Sequence, residues 1–449
     1  MFSSEARPQG HFAIMLSTKS ISSHLVEATV VLSAKTIQAI YKQAAYLYAK
    51  SAQPQGLKNI TLPLDFIEKE LADRISCNVK NFALKHIVID YLLNQISNKK
   101  ISVANHPRLI NMTCSPNVGG LYTFELSVAS PIPLKEWKLF TFKSPKRKRY
   151  KDLDKQVDLF IKREHDKFKK QDQEVVENND WVNFEATITD DCKKPILPHH
   201  GDSTSPQNCI HRANFWIKIN VSHLEKPFHM NFIGKKAGDS FTTSEIPTDE
   251  EFYDTLTARC CFLITIKSLA KGSHLSVEAF RTIFKLKNKA ETHNKLIEVF
   301  SYRNDISQRR SIVEEVFHLF FSKHRFEIPK HLTIRKQESL LDMLRKQPDY
   351  QVYKSQKDFH EKVATLAEKL LKEEVLIDQI AHKEGIKASS KDIRHYLTLF
   401  NNSRLREFVY FKPAFEPIEE SDTPFPESAL RQAVLREKTL NHIIYTLTR

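Results

Sequence analysis

The residue types able to do chemistry are densest between Cys192 and His211, where Cys192, His199, His200, Cys209 and His211 share one polar stretch. Thiolates and neutral imidazoles are zinc ligands, so the cluster raises a metal site. Its spacing has no Cys-x-x-Cys knuckle, and the adjacent His199 and His200 do not easily converge on one ion. A polar loop carrying Asp202, Ser203, Thr204 and Ser205 is the preferred reading, with no metal bound. Elsewhere the chain has no glycine-rich phosphate loop, no HExxH, no GxSxG and no paired-carboxylate motif. Conventional hydrolase and transferase chemistry is therefore excluded, and no cofactor is expected.

What remains is charge and apolar surface. The formal net charge is +14, and the run Lys143 to Lys151, KSPKRKRYK, concentrates part of it. A basic surface attracts polyanions such as RNA, in a salt-dependent way; for the run itself, which lies between domains, a solvated linker is the preferred reading. With 449 residues, about three domains are expected. The six cysteines lack regular spacing, as unpaired thiols in a reducing compartment do. No apolar run is long enough to cross a bilayer, and the patch Phe12 to Leu16 is too short for a signal peptide, so a cytoplasmic protein with no membrane partner is expected.

The elements that must carry these groups fall into three regions. From Ser20 to Trp137 the chain reads as a mixed unit. A strand at Val26–Leu32 is followed by a helix capped by Ser33, with Ile37, Ile40, Tyr41, Ala44 and Leu47 or Tyr48 on one face. The loop SAQPQGLKNITLP leads to a long helix from Pro63, with a stripe at Phe66, Ile67, Leu71, Ile75, Val79, Phe82, Ile87 and Leu92; Leu121–Val128 closes the unit as a strand. Residues 138–179 form a basic linker and an amphipathic helix, and residues 180–271 hold the strand-like pieces WVNFEATI, NFWIKIN, DSFTTSEI and CCFLITIKSL. From Ser276 onward the periodicity is helical. In Leu366–Asn402, Gly385 after His382 and Lys383 predicts a Schellman stop, and Ser389 with Asp392 predicts a new capping box.

The wording of that hairpin, with its Glu-Gly-Ile turn, resembles the C-terminal arm of bacterial trigger factor, the ribosome-associated chaperone. Phe326-Glu327-Ile328-Pro329 resembles the mark ahead of the family's first arm. The loop from Gly56 to Pro63 resembles the family's GFRxGKxP signature, with Gly56 and Pro63 retained, Leu57 for Phe and Lys58 for Arg, and with Ile60 and Thr61 in place of the second Gly and second basic residue. PFHMNFIGKKAGDSF, with Phe228, Gly234, Ala237, Gly238 and Phe241, resembles the turn of the FKBP-type prolyl isomerase domain that trigger factors carry at this point. The resemblance runs in order over almost the whole chain, with few identities in each segment.

The resemblance implies an α+β multidomain protein: an α/β ribosome-binding domain at 20–137, an FKBP-like β-rich inserted domain at 180–271, and an all-helical C-terminal chaperone domain with arms at 276–449. It implies an ATP-independent chaperone that docks at the ribosomal exit tunnel, on protein and RNA, through Gly56, Leu57, Lys58 and Pro63, and shields nascent chains. It leaves open a homodimer away from the ribosome. Client contacts are expected from Phe320, Phe321, Met343, Tyr396 and Phe400, although most apolar residues at helical spacing are core. Phe228 is the candidate catalytic residue of an isomerase. Ala186, Ile188 and Glu225 stand where that family places an aromatic, a glycine and an apolar residue, so an inactive isomerase fold is expected. An active isomerase and a basic RNA-binding protein are the alternatives.

Overall fold

The structure, a computed structural model, describes residues 14–448 except 23, 52–62, 100, 102, 104–106, 130, 135, 144–151, 171–174, 190–212, 221–226, 244–260, 272–276, 278–279, 282–285, 305–306, 325, 346, 402–408 and 413–423. It is an α+β protein with two antiparallel sheets, and thirteen α-helices are found among the described residues.

In the first unit, β1 (Ile14–Ser22), β2 (Leu25–Leu32), β3 (Arg108–Ser115) and β4 (Gly119–Ser127) form a sheet ordered β1-β2-β4-β3. Alternation along β2 turns Ala28, Val30 and Leu32 inward, beside Tyr122, Phe124 and Leu126 of β4. The covering helices are α1 (Ala34–Ser51), α2 (Leu64–Glu70), α3 (Ala72–Ala83) and α4 (Ile89–Asn98), the last two joined by a π-helical turn at Leu84–Val88. Ser33 caps α1 as expected: its Oγ accepts from the Thr36 N–H at 3.2 Å. Ile37, Ile40, Ala44, Tyr48, Ile75, Val79, Phe82 and Leu92 fill the space between helices and sheet.

Three features differ from the sequence expectation. The long helix breaks at Leu71, which leaves the helical region at φ −113° and ψ 13°, and Phe66 ahead of the break faces solvent. Strands β1 and β3 are additions to the expected elements. Both lie at sheet edges, where most of β1 is exposed and the apolar alternation is correspondingly weak. Gly119 has φ +103°, and a Cβ there would meet the Leu32 carbonyl oxygen at 2.4 Å, so the start of β4 can approach β2 only with glycine.

Residues 129–140 leave this unit and pack on the helical part. Ala129, Ile132, Leu134 and Trp137 join the core of the C-terminal helices. The Trp137 indole N–H donates to Glu384 Oε1 at 3.2 Å, and Lys138 pairs with Glu384 Oε2 at 2.6 Å.

The middle region has α5 (Leu153–Lys170), then β5 (Trp181–Thr189), β6 (Ala213–Lys218), α6 (Pro227–Met230), β7 (Ser240–Thr243) and β8 (Cys261–Ala270), with the four expected strands in place. The sheet order is β7-β8-β5-β6-β9, and β9 (Phe425–Pro426) arrives from far along the chain. Trp181 and Trp216 are buried in one core with Leu153, Val157 and Phe160 of α5 and with the C-terminal helices. The middle sheet is thus built into the helical part through these residues.

The helical part comprises α7 (Lys289–Asn304), α8 (Ser307–Lys323), α9 (Lys330–Arg345), α10 (Tyr350–Lys354), α11 (Phe359–Glu384), α12 (Ser390–Asn401) and α13 (Glu427–Leu447). In the stretch from Ser276 onward expected to be helical, residues 278–279 and 282–285 lie outside the described residues. Gly385 at φ +64° ends α11 as a Schellman motif, with Ile386 N–H donating to Ala381 O at 2.9 Å and Gly385 N–H to His382 O at 3.3 Å. The Ser389 N–H donates to Asp392 Oδ2 at 2.8 Å, and Asp392 N–H donates back to Ser389 Oγ at 3.3 Å, completing the capping box.

Candidate functional site

Helices α9 and α11 run side by side as an arm. The buried face of α11 follows Phe359, Val363, Ala367, Leu371 and Val375, one residue every turn. Near the tip, Leu340 of α9 closes with Phe359, Val363 and Ala367 into a small core of its own. That frame leaves large apolar side chains on the outside: Met343 is 46% exposed, Val352 65%, Tyr353 44%, and Ile334 and Leu366 are also in solvent. Leu366 sits off the buried row, which steps by four residues from Phe359.

The expected client contacts divide. Met343 is exposed on the arm and Phe321 is half-buried, stacked on Phe317 at 5.9 Å. Phe320, Tyr396 and Phe400 are buried. Phe320 is fully enclosed, 5.8 Å from the Trp137 ring and 5.6 Å from Phe140. Tyr396 stacks on Phe400 at 6.1 Å and donates its hydroxyl to Phe411 O at 2.8 Å. Helical spacing identifies an apolar face but not its neighbour, and here α8 and α12 turn those faces to the interior. Val352 and Tyr353, on a short helix that the periodicity does not reveal, are additions to the expected contacts.

Between α8, α11 and α13 lies a buried polar assembly. Arg309 pairs with Glu437 at 2.6 Å, both almost fully buried. Glu437 Oε2 also accepts the N–H groups of Tyr410 at 2.9 Å and Phe411 at 3.0 Å, which straps that segment across the helices. Arg436 forks onto Asp378 at 3.0 and 2.8 Å and reaches Glu374 at 3.2 Å. Glu373 is fully buried and accepts the Tyr410 hydroxyl at 2.8 Å. Burial pushes its carboxyl up to about 7, against the Tyr410 hydroxyl and Lys369, which pull it down.

In the middle region, Phe228 lies in a closed aromatic core. Its ring is 5.1 Å from Phe232 and 5.9 Å from Phe184, and Phe232 stands 5.0 Å from Phe241. Val182, Ile217, Ile264 and Ile266 complete that core, with Ala186 at its margin. Gly234 and Gly238 take positive φ in the turn that returns the chain to β7. Ile188 is in β5, and Glu225 lies outside the described residues.

Gly56, Leu57 and Lys58 also lie outside the described residues. Pro63 immediately precedes α2, and its carbonyl accepts from Ile67 N–H at 3.2 Å, so it opens the helix as its fixed φ suits. The Cys192–His211 cluster lies outside the described residues. Among those described, no group of three His, Cys, Asp or Glu is placed to hold a metal. No helix among them is long and apolar enough to cross a membrane.

Residues 289–444, about a third of the chain, match the family model described as bacterial trigger factor protein (TF) C-terminus. The solved structure described as "Promiscuous Substrate Recognition in Folding and Assembly Activities of the Trigger Factor Chaperone" aligns with 96% of this chain and 99% of its own, at 14% identity and a TM-score of 0.33. No curated protein matches the chain.

Proposed function

We propose that this protein is an ATP-independent chaperone of the cytoplasm that docks at the ribosome and holds emerging, unfolded segments on its α9–α11 arm. The observation that carries the reading is the set of Ile334, Met343, Val352, Tyr353 and Leu366, exposed on an arm whose own apolar core is already closed. Exposed apolar side chains on a self-supporting frame can hold many sequences without collapsing onto one another, and flexible methionine adapts to differing partners. Replacing Met343, Val352 and Leu366 by serine together is expected to abolish most suppression of aggregation of a chemically unfolded client while far-ultraviolet dichroism stays unchanged. Full suppression by the triple variant would move the holding surface elsewhere.

Ribosome docking through Gly56, Leu57, Lys58 and Pro63 rests on the family match and on the retained residues of the signature loop. Lys58→Glu is expected to lower co-sedimentation with ribosomes at low salt, with equal co-sedimentation pointing instead to Lys143–Lys151.

The middle sheet serves as framework in this reading. Phe228 is enclosed by Phe184 and Phe232, and an enclosed ring offers no wall to a substrate proline. The protein is expected to accelerate isomerisation of a short proline peptide scarcely at all. A robust rate cut sharply by Phe228→Ala would establish an active isomerase.

A further inference from the structure

The middle sheet is complete in order without β9. Strands β7, β8, β5 and β6 come from residues 181–270, and β9 is added to the outer edge of β6 from residues 425–426. The added strand is short and poor in donors. Among the described residues it pairs with Phe215 and Trp216 of β6, and one of its two residues, Pro426, has no N–H to give.

The residue that follows β9 is anchored in the interior. Glu427 is almost fully buried at the first turn of α13, where a carboxylate suits the helix dipole. Its Oε2 accepts from Asn183 Nδ2 at 3.2 Å, and its Oε1 accepts from Arg431 Nη2 at 2.7 Å and from the Ser390 hydroxyl at 3.3 Å. One side chain therefore ties β5, α12 and α13 together beside the β6 edge.

We propose that the outer edge of β6 is a strand-accepting site for an extended, unfolded polypeptide, occupied at rest by β9 and released when the Glu427 junction opens. This rests on the reading of the protein as a holder of unfolded chains and gives that reading a second, backbone-directed mode. An edge strand is a template for another chain, and native proteins cover it for that reason. Recognition by strand addition draws affinity from main-chain hydrogen bonds and preference from alternate side chains. A longer incoming segment without proline pairs along Ala213–Lys218 where β9 pairs with two residues. Phe215 and Ile217 face the aromatic core and Trp216 faces the helices, so the fitting segment carries apolar residues at alternate positions.

The test uses the full chain and a fluorescent peptide of alternating valine and threonine with terminal lysines, beside the same peptide methylated on alternate backbone nitrogens. The unmodified peptide is expected to bind and to slow hydrogen exchange of the amides of residues 213–218, and the methylated one to do neither. Glu427→Ala, checked for retained thermal unfolding, is expected to bind about tenfold more tightly, because removing the resident strand removes the occupancy factor from the apparent affinity. Equal binding of both peptides, absence of protection at residues 213–218, or an unchanged affinity in a folded Glu427→Ala chain would each overturn the proposal. Should that variant not fold, exchange in the unaltered chain decides. A chain that holds unfolded clients but leaves β6 unprotected loses only this site, whereas one that takes the peptide but fails to suppress aggregation loses the holding arm.

Discussion

The sheet unit at residues 14–127 and the helical bundle at residues 307–447 both close an apolar core, and differ in the charged side chains buried with it. Among the described residues of the first, the buried polar residues are Thr36 and Ser127, with the hydroxyls of Tyr48 and Tyr122, and none is charged. The second buries Arg309, Glu373, Asp378, Glu427, Glu437 and Thr439. A strand pairs its neighbour in a register set by alternation, since a slip of one residue turns the whole apolar set outward. Two long helices packed ridge into groove have weaker protection against sliding by a turn. Paired buried charges at fixed positions along α8, α11 and α13 penalise such a slip, because each misplaced charge loses its partner.

That contrast can be broken most sharply at Glu437. Glu437→Ala leaves Arg309 buried without its carboxylate and frees the N–H groups of Tyr410 and Phe411, at an expected cost of about 3–5 kcal/mol in urea unfolding. Replacing Arg309 by Met and Glu437 by Leu together is expected to recover much of it. If the single variant costs under about 1 kcal/mol, the bundle is held by apolar burial alone and the comparison fails.

In the sheet unit the corresponding change is a cavity. Leu32→Ala, at a fully buried position on β2, is expected to cost about 3 kcal/mol with no change in the pH dependence of stability, again by urea unfolding.

The pH dependence separates the regions next. The Glu373 carboxyl is raised in the folded state from an ordinary value of 4.5 to about 7, so between those values the folded chain holds more protons than the unfolded one. Its contribution is therefore present at low pH and lost as pH rises through about 7, by about 2–3 kcal/mol. Glu373→Gln is expected to remove that loss, so parent and variant unfolding energies converge at pH 5 and diverge at pH 8. Parallel curves would show that the buried carboxyl does not titrate in this range.

The smallest effect belongs to a local signal. Ser389→Ala removes the hydroxyl that accepts from Asp392 N–H and is expected to cost about 1 kcal/mol, seen as a modest drop in melting temperature.

Signals confined to a turn or two of chain are legible in the amino-acid sequence. Ser33, Ser389 with Asp392, and Gly385 announce helix ends, and the strands around Phe184, Trp216 and Ile264 announce themselves by alternation, because each depends on contacts within a few residues. The α+β class follows from those elements, and the trigger factor resemblance follows from the residues at the 385 turn and ahead of α9. Tertiary structure decided which apolar faces stay outside. Phe320, Tyr396 and Met343 all belong to apolar stretches of helical sequence, yet only Met343 reaches solvent, because Trp137 and Phe411 come from distant positions to cover the other two. It also decided the edges: β1, β3 and β9 carry little pattern of their own and become strands where a partner edge lies beside them. The buried charges follow the same rule. Only the crossing of α8 with α13 brings Arg309 and Glu437 within 2.6 Å in the interior, where each offsets the cost of burying the other.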